Sequence, residues 1–211
     1  KGYSLQRTYA LSKLESAMMP AIQVGLLVLV VTAPAFIFFS QKGPGAMHAP
    51  WLISLAAGLV VGGLSQVSRL CTVGGFRDLF LFKKSILIFG YLAVLIGVFV
   101  VNISFGNFHL GFENQPIAHT DGLWNFLGMA LAGFCSVLLG GCPLRQLIMT
   151  GEGNSDSAVT VLGLGAGAAF AHNFGLAASG AGPTLNGEIA VGVGFVVALI
   201  IAVVNTKRAN A

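Results

Sequence analysis

Two thiols stand beside two guanidinium groups in an otherwise oily chain. The first group lies in GLSQVSRLCTVGGFRDLFL and holds Cys71, Gly74, Gly75 and Arg77. The second lies in GFCSVLLGGCPLRQLIM and holds Gly140, Gly141, Cys142, Pro143 and Arg145. Each closes a Gly-rich apolar segment. After each arginine the order matches, Asp78-Leu79-Phe80-Leu81 in one case and Gln146-Leu147-Ile148-Met149 in the other. A cysteine sulfur is polarizable, a weak donor and a weak acceptor, and it suits another soft chalcogen better than a hard oxyanion. Positive surroundings favour the nucleophilic thiolate. A sulfur- or selenium-bearing anion could therefore be passed between such thiols by contact, or be attacked covalently.

The elements that would position these groups follow from the glycines. Glycine beside a cysteine frees the backbone to unwind, and unwound backbone at membrane depth is tolerated where it lines a cavity. Transporters place substrates at such breaks, between repeats and near the midplane. A helix beginning just after Cys71 or Cys142 aims free N–H groups at the break, and these attract anions. Arg77 and Arg145 add charge at the same place, while Gly74, Gly75, Gly140 and Gly141 permit close approach.

Composition fixes the setting. Of 211 residues 55% are hydrophobic and 9% charged, against about 25% charged in an ordinary soluble domain. Charge-free stretches run over 16–41, 43–68, 85–112, 122–144, 157–187 and 189–206. Each approaches the roughly 20 apolar residues that cross a bilayer core. An all-α membrane protein of about six transmembrane helices is expected, with two Gly-rich broken or re-entrant Cys motifs forming an internal repeat. Residues 1–211 form one polytopic domain, with repeat units at about 18–103 and 123–204.

The first span covers about 18–39, with Pro20 near its start and Pro34 late, where a kink is expected. Residues 41–50, with Lys42, Gly43, Pro44 and His48, form a loop; Trp51 then anchors the second span at the interface. The basic segments around 1–13, 69–84, 145 and 207–208 fall on one side of a six-span arrangement, and the Lys/Arg-free loop 104–120 on the other. The positive-inside rule then places both termini in the cytoplasm. The net charge of +4 reflects this topology, because the basic residues flank apolar spans and form no stripe for nucleic acid.

Other candidates carry less. Cys71, Cys135 and Cys142 contain no C-x-x-C pair, so structural zinc and a thioredoxin-like dithiol have little support, and no cofactor is implied. Cys135 lacks a Gly-Arg context of its own and is expected to pack. Arg69, Lys83 and Lys84 are expected as positive-inside anchors. His172 and Asn173, if inside the bilayer, are costly enough to count as functional. His109 and His119 belong to loops, and Glu152 and Asp156 cap or solvate a helix start.

The motifs resemble the YeeE/YedE family of sulfur-compound transporters, and within it the YedE branch described as selenium transporters. The resemblance rests on Ser68-Arg69-Leu70-Cys71-Thr72-Val73-Gly74-Gly75-Phe76-Arg77-Asp78-Leu79, on Gly140-Gly141-Cys142-Pro143-Leu144-Arg145-Gln146-Leu147 with Gly151-Glu152-Gly153, and on Ala171-His172-Asn173-Phe174-Gly175-Leu176. It covers nearly the whole chain. It implies a non-enzymatic inner-membrane helical protein whose cysteines, here Cys71 and Cys142, relay thiosulfate or a related ion along a central path. Cys135 has no counterpart. Members are commonly longer, so the chain is expected to be a C-terminal portion or a short form. Its expected partners are the lipid bilayer, the small anion, and a cytoplasmic sulfur-carrier protein or a missing N-terminal transporter portion. The alternative is a membrane-bound thiol enzyme, a sulfurtransferase or a quinone-linked thiol oxidase, using the same cysteines covalently.

Overall fold

A computed structural model of the chain describes residues 13–35, 49–112 and 119–209. The basic lead-in before residue 13, residues 36–48 with Lys42, Gly43, Pro44 and His48, and residues 113–118 of the polar loop lie outside the described residues. Eight helices are described: α1 (Lys13–Thr32), α2 (Trp51–Ser68), α3 (Thr72–Phe82), α4 (Ile86–Ser104), α5 (Gly122–Leu138), α6 (Pro143–Gly151), α7 (Ser155–Asn173) and α8 (Leu185–Ala209). No strand occurs among the described residues.

By length and apolarity four segments can cross a membrane: Trp51–Phe82, Ile86–Ser104, Gly122–Gly151 and Leu185–Asn205. Few of their residues are buried inside the chain, most of them in Gly122–Gly151. The apolar part of α1, Ala17–Thr32, is shorter. Helix α7 is long enough at 19 residues, but its glycines, serines and Asp156 make it less apolar. These two helices separate the count of four from the six expected. The chain is a multi-pass, all-helical membrane protein.

The expected kink at Pro34 is replaced by a helix end. Helix α1 stops at Thr32, and Ala33 takes a positive φ of 41°. The residue before a proline is pushed out of the helical region, so termination before Pro34 is the cheaper solution.

Two runs of elements share one order, a long helix, a break at a cysteine, a short helix, a tight turn and a second long helix. They are α2-α3-α4 and α5-α6-α7. The breaks are built alike. At the end of α2, the Arg69 N–H donates to Gln66 O and the Leu70 N–H to Ser65 O. At the end of α5, the Gly140 N–H donates to Val137 O and the Gly141 N–H to Ser136 O. These are the paired bonds of a Schellman turn, which needs a left-handed residue. Gly140 supplies it with φ 75°, and Arg69 supplies it with φ 52° despite its Cβ. Both left-handed residues stand two places before their cysteine, and Ser65 and Ser136, both buried, stand six before.

Packing then brings the two breaks together. Helix α3 folds against α4, with the Gly75 Cα so close that a Cβ would lie 3.3 Å from the Ile88 nitrogen. Helix α6 folds against α7 and α5 against α8. Between the runs the contacts are reciprocal: α2 meets α6, and α3 meets α5. The loop after α7 is closed by side chains, with the Thr184 hydroxyl donating to Gly175 O at 2.7 Å and Asn186 Nδ2 to Phe174 O at 3.1 Å.

Candidate functional site

Each cysteine of the two breaks is the N-cap of a short helix. Cys71 caps α3 with φ −154° and ψ 116°, and Cys142 caps α6 with φ −69° and ψ 163°. Such extended backbone turns the side chain toward the free N–H groups of the first turn, a place serine or aspartate usually fills. The Cys71 sulfur accepts from the Gly74 N–H at 3.2 Å. Cys142 caps α6 more loosely: its sulfur makes no short cap bond, although the Arg145 N–H, at the equivalent position, is directed at it. Pro143 begins α6, where its missing N–H costs nothing.

The two thiols meet. Cys71 and Cys142 interact side chain to side chain, and each sulfur also faces an N–H of the other break. The Cys142 N–H faces the Cys71 sulfur, while the Thr72 N–H and the Thr72 hydroxyl face the Cys142 sulfur. Both residues are buried, at 7% and 6% exposure, and neither is in a disulfide. The positive ends of two helices thus converge on one pair of sulfurs, an arrangement that draws negative charge. The two cysteines expected on a central path thus neighbour each other. Among the described residues no cluster of three or more His, Cys, Asp or Glu could hold a metal ion.

The arginines divide. Arg145 is largely buried, its Nη2 donates to Glu152 Oε1 at 3.4 Å, and its Nη1 is buried without a protein partner. Arg77 is half exposed, and its Nε and Nη2 both donate to Asp78 Oδ1, at 2.9 and 2.8 Å. Its charge is neutralised by its own neighbour. The two arginines are also not equivalent in the fold: counted from the N-caps, Arg145 matches Gly74, and Arg77 matches Ile148. The matching order after each arginine follows the apolar pattern of the short helices and does not mark a common position.

The four glycines serve different ends. Gly74 is buried under the thiol, where a Cβ would lie 3.2 Å from Cys71 Cβ and 3.3 Å from its sulfur. Gly75 serves the α3–α4 contact. Gly140 makes the turn. At Gly141 the side chains of Arg145 and Gln146 fold back over the backbone, with Gln146 Nε2 donating to Leu139 O at 3.1 Å.

His172 and Asn173 are not brought to the thiols. They end α7, which is ten residues longer than α6 (19 against 9). The two form a hairpin, so the end of α7 extends about 15 Å past the break at 1.5 Å per residue. Both residues are exposed, and Asn173 Nδ2 donates to Ala169 O of its own helix. Glu152 does not cap a helix start; it pairs with Arg145, while Asn154 caps α7 by accepting from the Ser157 N–H at 3.0 Å. Cys135 is half-buried and lines a cavity of about 1120 Å³ among α5, α6, α7 and α8, together with Gln146, Thr160 and Phe170. Neither Cys71 nor Cys142 lines it.

Thr72 escaped the sequence reasoning. Its signal was position alone: a hydroxyl residue directly after the first cysteine, where the second motif has a proline.

The family model described as sulphur transport matches residues 67–208, more than half of the chain and both breaks. The chain belongs to the sulphur transport family. The resemblance to YeeE/YedE proteins drawn from the two motifs is thereby borne out. A stretch of 111 residues, 51% of this sulphur transport chain, is 30% identical to the thiosulfate transporter TsuA of Escherichia coli (strain K12) and covers 30% of that protein's length. The match to this relative therefore spans less than a third of it. No solved structure matches the chain.

Proposed function

We propose that this chain carries a small sulfur-containing anion through the membrane, thiosulfate first and a selenium analogue second, and that Cys71 and Cys142 act as a single two-thiol station. The observation that carries this is the meeting of the two thiols where the N-termini of α3 and α6 converge. Membership of the sulphur transport family and the similarity to a thiosulfate transporter supply the substrate class.

Thiosulfate has a soft terminal sulfur and a hard oxygen face. The thiols match the sulfur as weak donors. The N–H groups of both helix ends and the Thr72 hydroxyl match the charge and the oxygens. Arg145 adds a buried positive charge with one free donor, whereas Arg77, held by Asp78, contributes little. Gly74 leaves the Cys71 sulfur open to approach. Transport runs inward across the cell inner membrane, with both termini in the cytoplasm, delivering to a cytoplasmic sulfur carrier or working with a further N-terminal transporter portion. His172 and Asn173 take no part in the station.

The test is uptake of labelled thiosulfate into proteoliposomes by the wild-type chain and by a Cys71→Ala, Cys142→Ala double variant, with a selenium analogue as a parallel substrate. Loss of uptake in the variant is expected; unchanged uptake overturns the two-thiol station. The thiol-enzyme alternative has the side-chain pairing in its favour. Against its quinone-linked form, the large apolar cavity is lined by Cys135 and not by the pair.

A further inference from the structure

We infer that Cys71 and Cys142 are a redox pair, joined by a peroxide into a disulfide that shuts the station and released again by a dithiol. The inference rests on the two-thiol station proposed above for its effect on transport, and on the geometry alone for the bond.

Three observations carry it. The two thiols neighbour each other side chain to side chain where α2 packs on α6 and α3 on α5. Both sit at N-caps in extended backbone, where a moving sulfur gives up at most a cap bond, for Cys71 the one from the Gly74 N–H, and leaves the backbone ladder of its helix intact. Both are buried, which excludes large thiol reagents and leaves them to small neutral oxidants. Cys135 is set apart on the wall of the large cavity and has no share in the pair. A soft metal ion is a poor rival for the same sulfurs, because two helix N-termini repel a cation there.

The chemistry balances with the peroxide as oxidant. One sulfur attacks a peroxide oxygen, the O–O bond breaks, and one water leaves with a sulfenic acid formed on the protein. The other sulfur then attacks that sulfenic sulfur and expels a second water as the S–S bond forms. The two thiols together lose two electrons and two protons, and one hydrogen peroxide becomes two waters. A dithiol reverses the step by exchange through a mixed disulfide.

Closure follows from what the bond removes. The sulfurs draw together to about 2.05 Å, which closes the space between them, and both S–H donors disappear. A thiosulfate sulfur then has neither room nor a thiol partner.

The experiment treats the full chain in proteoliposomes with hydrogen peroxide, then unfolds it in denaturant and alkylates it, with mass spectrometry of the intact chain and of its peptides. The expected result is a loss of about 2 Da, a crosslink between the Cys71 and Cys142 peptides, and alkylation of Cys135 alone. Thiosulfate uptake falls about tenfold or more and returns with dithiothreitol. A Cys135→Ser variant behaves like the wild type. The bond is overturned if Cys71 and Cys142 remain alkylated, if each carries its own sulfinic group, or if the mass loss vanishes in Cys135→Ser. A crosslink that leaves uptake unchanged overturns the shutting. The mass loss does not depend on the substrate, so the crosslink and the thiosulfate assignment fail separately.

Discussion

The break at Cys71 and the break at Cys142 share a frame and differ in what fills it. Both use a Schellman turn, a cysteine N-cap and a short helix. At the left-handed position one has Arg69 and the other Gly140. One place after the cysteine stand Thr72 and Pro143, and three places after stand Gly74 and Arg145. The first break thus gives a tight cap, a hydroxyl and a sulfur with a glycine beside it; the second gives a looser cap and a largely buried guanidinium. Two breaks built alike need not duplicate every group. It can place contact on one half and charge on the other.

The largest expected effect separates the arginines. Arg145→Gln should lower thiosulfate uptake by about tenfold or more, the loss expected for a hydrogen bond to a charged group. Arg77→Gln should change it by less than about twofold, as exposed ion pairs count for little. Equal losses in the two variants would erase the division of labour.

Next come the glycines of the first short helix. Gly74→Ala places a methyl against the Cys71 sulfur and should cut uptake by about fivefold with little change in melting temperature. Gly75→Ala presses on the Ile88 backbone and should lower stability by about 1–3 kcal/mol, read as a fall in melting temperature in detergent. The reverse pattern would mean that Gly74 serves packing and Gly75 the substrate.

A smaller effect tests the hydroxyl that only the first break has. Thr72→Val should reduce uptake about threefold, the worth of one neutral hydrogen bond, and Thr72→Ser should restore it. If Val matches the wild type, the Cys142 sulfur does not need Thr72. The smallest effect lies in the turns. Gly140→Ala should cost about 1 kcal/mol, and Arg69→Gly should gain a similar amount, since a left-handed Cβ is strained. Thermal melts of both variants would show opposite shifts of a few degrees.

Much of this was legible in the sequence. Glycine next to cysteine marked both breaks, and the charge-free stretches marked α2, α4, α5 and α8. The meeting of the thiols was not legible, because it depends on α2 lying against α6 and α3 against α5, contacts forty or more residues apart. The position of Arg77 in its helix was hidden for a simpler reason. Its likeness to Arg145 came from aligning the residues downstream, whereas a helix counts from its cap. Glu152 lies seven residues after Arg145, two turns along one face, and that spacing could have disclosed the pair. His172 and Asn173 were costly only if they lay at membrane depth, and the length of α7 carries them beyond the break.

The sulfur of Cys71 holds the Gly74 N–H at 3.2 Å, and that small bond ties cargo to architecture. A thiol that swings to give its S–H to an anion carries its lone pair off the Gly74 N–H, and the first turn of α3 loosens with it. On the proposed function, hydrogen exchange at the Gly74 amide should quicken when thiosulfate is added and slow when it is removed.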